Sequence, residues 1–332
     1  MIEAVEFQNF RVLRAATLPL GPFTLIVGPN GSGKSAALTG LRLVAGKQPI
    51  DFPRSLSIGA GPPGTAKIRI AVKWDVSGQA AWTIREWPGP HGATGTEEYI
   101  PSNKLEAFRR HLNKQRHFAL DARKIAEPVQ LQPEMELSPE GHNLAGVLDR
   151  LRDTHPERFE GLNAELSRWL PEYDRILFDT PSAGMRGFLL RTKRTGVPIA
   201  ASELSEGTLH AMALLTLASL PDPPTILTLE EPDRGIHPRL LREVQDALYR
   251  LAYPQQFGES RPPVQVIATT HAPYFLDLYR DQPEEVVIAQ KNGLEATFQR
   301  LSDLPDVEEI LNGTSLGDVW YSGILGGVPV GT

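Results

Sequence analysis

The chain has 332 residues, 41% of them hydrophobic and 22% charged, with no cysteine and a formal net charge of −6 at pH 7. That length holds one large α/β domain with insertions or two modest domains. The lack of cysteine excludes a disulfide framework, a zinc ribbon and a cysteine nucleophile, and the acidic balance argues against a protein that coats nucleic acid over its whole surface.

In chain order, "MIEAVEFQNF" alternates apolar and polar residues, so it reads as a strand and not as a secretory leader. The best apolar run, Ala211–Leu220, falls far short of the roughly 20 residues that span a bilayer. The expectation is a soluble, cytoplasmic protein with no membrane partner. "FTLIVG" (Phe23–Gly28) has the short apolar character of a buried parallel strand, and "SAALTGLRLV" after it that of a helix. Between them stands "GPNGSGKS", Gly28–Ser35, a full G-x-x-x-x-G-K-[ST] match in the strand-to-helix context that pattern needs. Glycines at 31 and 33 let backbone N–H groups wrap a phosphate, and the helix N-terminus adds a positive dipole end. Lys34 reaches the β- and γ-phosphates, and the Ser35 hydroxyl can ligate Mg²⁺.

The next stretch has a different character. "KIRIAVKWDV" and "AAWTIREW" read as a β-hairpin, and "NKLEAFRRHLNKQRHF" as one amphipathic helix with Leu105, Phe108 and Leu112 on its apolar face. Lys104–Lys124 holds seven Lys/Arg against Glu106 and Asp121. That charge is either a solvated face or a surface for nucleic acid or an acidic partner. "NLAGVLDRLRDTHPERFEGLNAELSRWL" reads as two helices broken near Pro156, and "DRILFDT" and "RGFLLRTKRT" as strands.

Three more stretches follow. "LSEGT" (Leu204–Thr208) is a small-residue turn entering an apolar helix, and alone it could be a helix cap. "TILTLEEPD" (Thr225–Asp233) ends an apolar strand in two carboxylates. One of Glu230 and Glu231 could hold Mg²⁺ while the other orients or deprotonates an attacking water. "VQVIATT" reads as a buried strand and is followed by His271, which comes within reach of a γ-phosphate if that strand neighbours the one before the P-loop. The rhythm is that of a doubly wound α/β core with function at the carboxyl ends of its strands.

Together "GPNGSGKS", "LSEGT", "LTLEEPDRGIHP" and "ATTHAPYFLD" resemble the Walker A, signature, Walker B with D-loop, and switch-histidine motifs of soluble ABC-type ATPases of the SMC, RecF and OLD-like group. "SPEGHNLAGVLDRL" and "LGDVWYSGILGG" resemble the OLD-like set that includes ATPase subunits of antiphage defence systems such as Septu. The resemblance implies an α/β ABC-type P-loop ATPase head with a mainly parallel core sheet, an antiparallel β subdomain and a helical insertion. As domains, 1–332 forms one head, with 1–50 and 200–300 as nucleotide-binding core, 51–199 as hairpin and helical insertion, and 301–332 as a tail packed on the head. ATP would be bound by Gly28, Asn30, Gly31, Ser32, Gly33, Lys34 and Ser35, with Mg²⁺ on Ser35 and Glu230. Glu231, His271 and Lys34 would carry slow hydrolysis. Ser205 and Gly207 would touch the γ-phosphate held by a second protomer, so that two heads sandwich two nucleotides.

The sequence departs from the family at Glu230, where most relatives carry Asp, and at Arg234, where they often carry Asn. Gln130 and Gln132 are the candidates for a Q-loop. Only about sixty residues follow His271, with no acidic cluster, so no Toprim nuclease domain is expected in this chain. The favoured expectation is an ATP-driven switch whose homodimer controls a separate effector protein, such as a nuclease. The alternative is a DNA-repair or DNA-organising head that grips nucleic acid through its basic arm.

Overall fold

The alternating start of the chain is strand β1 (Ile2–Phe10), followed by β2 (Leu13–Pro19), β3 (Phe23–Val27), α1 (Lys34–Val44) and a short α2 (Phe52–Ser55). Next come β4 (Ile68–Val76), β5 (Gln79–Trp87), β6 (Gly95–Tyr99), α3 (Leu105–Asn113) and β7 (Arg116–Phe118). The middle of the chain supplies α4 (Ala122–Ile125), β8 (Val129–Gln130), α5 (Leu144–Thr154), α6 (Pro156–Trp169), β9 (Tyr173–Asp179), β10 (Met185–Thr192), β11 (Pro198–Ala200), α7 (Glu206–Ser219), β12 (Ile226–Glu230) and α8 (Leu241–Ala252). The remainder is β13 (Gln265–Thr270), α9 (Pro273–Asp277), β14 (Val286–Asn292), β15 (Glu295–Arg300) and α10 (Leu316–Tyr321). This computed structural model describes residues 1–46, 50–62, 65–76, 79–89, 94–305, 307, 315–323 and 325. The expected tail, 301–332, therefore lies partly outside the described residues.

The chain divides into two units. The first is Met1–His117, Thr225–Thr228 and Pro263–Thr332, and the second is Phe118–Pro224 with Leu229–Pro262.

In the first unit, β2-β1-β4-β5-β6 form an antiparallel sheet with Val5 opposite both Leu18 and Val72. The second sheet runs β15-β14-β3-β13-β12-β7. Its centre is parallel: β13 and β14 both flank β3, with Thr270 level with Val27 and Val287 level with Ile26. Every residue of β3 and β13 is buried, as strands covered on both faces require. One core joins Phe7, Ile70 and Val72 of the first sheet to Ala37, Leu38 and Leu41 of α1 and to Ile26, Ile267 and Val287 of the second. Burying these side chains fixes α1 against the sheet that feeds it, the Val, Leu, Ile and Phe side chains each contributing about 1.5–3 kcal/mol.

The expected hairpin is present as β4 and β5, paired antiparallel with Ala71 opposite Ile84. The expected amphipathic helix is shorter than read. It stops at Asn113, and Arg116–Phe118 forms the edge strand β7 beside β12. The apolar spacing ends at Leu112, and Gln115 turns its amide inward to donate to the Leu41 and Arg42 carbonyls at 3.3 and 3.5 Å. Edge-strand pairing then puts His117 Nδ1 3.0 Å from Thr228 Oγ1.

Burial pushes the imidazoles of His111 and His117 down to about 4, assisted by the amino terminus and by Arg42 respectively. Both are neutral in the folded protein, while the unfolded chain protonates them near the ordinary 6.5. Their contribution to stability is complete above that value and is lost as pH falls from about 6.5 to about 4, where the folded form also titrates. Urea midpoints measured from about pH 7 to about pH 4 should fall across that window, and less steeply in His117→Asn.

The second unit is built on helices and a small antiparallel sheet. β10 pairs with β9, β8 and β11. The helices predicted on either side of Pro156 are α5 and α6, with the proline at the first position of α6, where its missing N–H has no helical partner to lose. α7 is buried over Thr208–Leu217 on all its faces, as an all-round apolar helix must be. Among the described residues no helix is long and apolar enough to cross a membrane.

Candidate nucleotide site

In the first unit, Gly28–Ser35 joins the carboxyl end of β3 to the start of α1. A Cβ at Gly28 would lie 2.5 Å from both Ser32 Oγ and the Ala289 carbonyl, so no larger residue fits there. Gly33 sits at φ 97°, in the left-handed region that favours glycine, and caps α1 without a side chain. Gly31, also left-handed, borders open space, and Asn30 and Ser35 are exposed. The loop is folded around its own lysine: Lys34 Nζ donates to the Gly28 and Pro29 carbonyls at 2.5 and 3.1 Å and is 8% exposed. Ser32 is buried and its hydroxyl has no partner. A compact ring of backbone around a buried ammonium, with an unmet hydroxyl inside it, fits a phosphate chain. His271 leaves β13 one residue beyond the Thr270–Val27 pair, just as Gly28 leaves β3, and its side chain is exposed there. The condition set by the sequence, that the histidine strand neighbours the P-loop strand, is met.

The second unit brings together the carboxylates and the signature stretch. β12 runs on to Glu230, and Glu231 follows at φ 47°, a left-handed conformation that costs a non-glycine residue of order 1–3 kcal/mol. Both glutamates line a cavity of about 700 Å³. Glu206 and Arg234 share it, together with Ala119–Arg123. Ser205 is the N-cap of α7, its hydroxyl accepting from the Thr208 N–H at 3.2 Å, and it is exposed. Gly207 presses on the turn after β12, because a Cβ there would run into the Gly235 carbonyl oxygen. Gly207→Ala should therefore destabilise the protein by about 1–3 kcal/mol, the cost of overpacking, as measured by urea unfolding.

Neither Gln130 nor Gln132 is in the cavity lining. Gln130 sits on β8 level with Met185, while Ala119–Arg123, just past the stretch read as an amphipathic helix, lines the cavity beside the glutamates. Asp121 caps α4 by accepting from the Arg123 and Lys124 N–H groups. The signal available for this was the Asp121 cap itself, an Asp directly before a short helix. The basic stretch is partly neutralised. Glu98 and Glu106 hold Arg109, and Glu140 holds Lys124. These carboxylates raise the pKa of both cations above their ordinary values.

A P-loop on a central parallel strand, a histidine closing the neighbouring strand and paired carboxylates closing the strand beyond it define an ABC-type ATPase head of the SMC and OLD-like group. Residues 88–277 match the family model described as "AAA domain, putative AbiEii toxin, Type IV TA system", and residues 1–84 match "AAA ATPase domain". The first match spans more than half of the chain, and the protein belongs to that AAA-domain family. It is 23% identical to the OLD nuclease of Thermus scotoductus, over 96% of this chain and 68% of the relative. Among solved structures it is similar to an Smc head bound to the C-terminal winged-helix domain of ScpA, at TM-score 0.64 and 16% identity, covering 93% of this chain and 99% of that one. The SMC head of Thermotoga maritima gives TM-score 0.52 at 15% identity, covering 90% and 98%. These structural likenesses concern the fold.

Proposed function

We propose that this protein is an ATP-hydrolysing switch that closes into an ATP-sandwiched homodimer and controls a separate effector. The observation that carries the reading is the side-by-side exit of Gly28 and His271 from β3 and β13, with the buried Lys34 held inside the loop. Gly28, Asn30, Gly31, Ser32, Gly33, Lys34 and Ser35 would bind the ATP phosphates. Ser35 and Glu230 would hold Mg²⁺, which when bound shields the phosphate charge during transfer. Glu231 would take the proton of the attacking water, and His271 would hydrogen-bond the γ-phosphate. Ser205 and Gly207 would read the nucleotide of the other protomer. The relatives include a nuclease and heads bound to a ScpA domain, which supports an effector that is a second polypeptide or domain. Antiphage defence is the process we assign, from the family likeness.

The test is light-scattering mass with and without Mg-ATP, alongside phosphate release. The reading expects ATP to double the mass and wild type to release phosphate slowly. A mass indifferent to ATP would sink the dimer, and no phosphate release would sink the enzyme.

A further inference from the structure

His210 lies on the second turn of α7, inside a helix whose neighbours are Leu, Ala and Met, and is 3% exposed. Its Nδ1 stands 2.6 Å from the Arg234 carbonyl oxygen. A carbonyl only accepts, so Nδ1 carries the proton and Nε2 is left with a bare lone pair. That nitrogen is buried and has no partner. Leaving a buried acceptor unmet is unfavourable, and an apolar side chain would fill the position without that cost. What the histidine supplies is therefore the single N–H directed at Arg234.

The same turn receives two further contacts from α7. Gly207 closes against the Gly235 carbonyl, and Glu206 reaches the Arg234 guanidinium at 3.9 Å. Positions 206, 207 and 210 share one face of the helix at three- and four-residue spacing. The turn they grip begins at Glu231, whose left-handed backbone needs outside support to persist, and Glu231 O in turn accepts from Arg234 N at 3.0 Å.

We propose that His210 is a positioning residue that clamps the Glu231–Gly235 turn to the first turns of α7, so that the carboxylate and the Ser205–Gly207 segment move as one body. This rests on the ATPase reading for its consequence in turnover, but the clamp has its own readout. His210→Leu removes the donor, whereas His210→Asn keeps an N–H near the position of Nδ1. His210→Gln carries its donor one bond further out and serves if the leucine variant does not fold.

Amide hydrogen exchange in peptides covering 231–236 should be about tenfold faster in His210→Leu or His210→Gln than in wild type, and near wild type in His210→Asn. In parallel kcat should fall about tenfold with KM for ATP within about twofold, and the asparagine should restore it. Unchanged exchange in His210→Leu, or in His210→Gln where the leucine variant does not fold, overturns the proposal, as does a loss that asparagine fails to restore. If wild type releases no phosphate, the enzymatic reading fails while exchange still decides the clamp.

Discussion

Glu231→Gln should release phosphate about 10²–10⁴-fold more slowly than wild type, the usual contribution of a positioned general base. ATP affinity should stay within a few-fold, because the amide keeps the side chain's shape and removes a negative charge. The ATP-dependent doubling of mass should then become stable enough to isolate by light scattering. Glu231→Gly separates chemistry from backbone. Residue 231 is left-handed, so glycine there should be inactive yet more stable than wild type by about 0.5–1 kcal/mol in urea unfolding. A glycine variant less stable than wild type would mean that the glutamate side chain supports the fold in its own right.

The second large effect concerns Ser205. The structure makes it a helix cap, and the proposed function makes it a contact to the partner's nucleotide as well. Two substitutions pull these roles apart. Ser205→Ala removes the cap and should lower stability by about 1 kcal/mol. Ser205→Asp retains an equally good cap but sets a negative charge where the γ-phosphate of the other protomer would lie. It should leave stability and single-protomer ATP binding near wild type, while abolishing the ATP-dependent mass increase and cutting hydrolysis at least about 100-fold. If Ser205→Asp doubles its mass with Mg-ATP as wild type does, the residue is a cap and nothing more.

The P-loop was legible because phosphate binding by consecutive backbone N–H groups is a local property, written within Gly28–Ser35 and its flanks. The strands before the motifs were legible for the same reason: β3, β12 and β13 are short, apolar and β-branched, and they are buried as that pattern demands. The reading failed where a local pattern met a long-range competitor. Arg116–Phe118 follows the helix with no Gly or Pro to stop it, but pairing beside β12 offers its backbone a ladder, and His117 a partner in Thr228. The Q-loop candidates are a different case. A glutamine carries no local mark of a cavity; neither Gln130 nor Gln132 lines the one beside Glu230 and Glu231, and Gln130 lies on β8 level with Met185.

The sequence by itself determined the fold class, the place of the P-loop pattern between β3 and α1 and the identities of the paired carboxylates, since each rests on patterns written locally in the chain. Tertiary structure decided the order β15-β14-β3-β13-β12-β7, which sets His271 beside Gly28 across more than two hundred residues of sequence. It also decided that His210, to the eye one polar residue in an apolar helix, closes on a carbonyl 24 positions away. Strand order and buried hydrogen bonds join distant residues, and their stability comes from closing the whole core, so no window of sequence contains them.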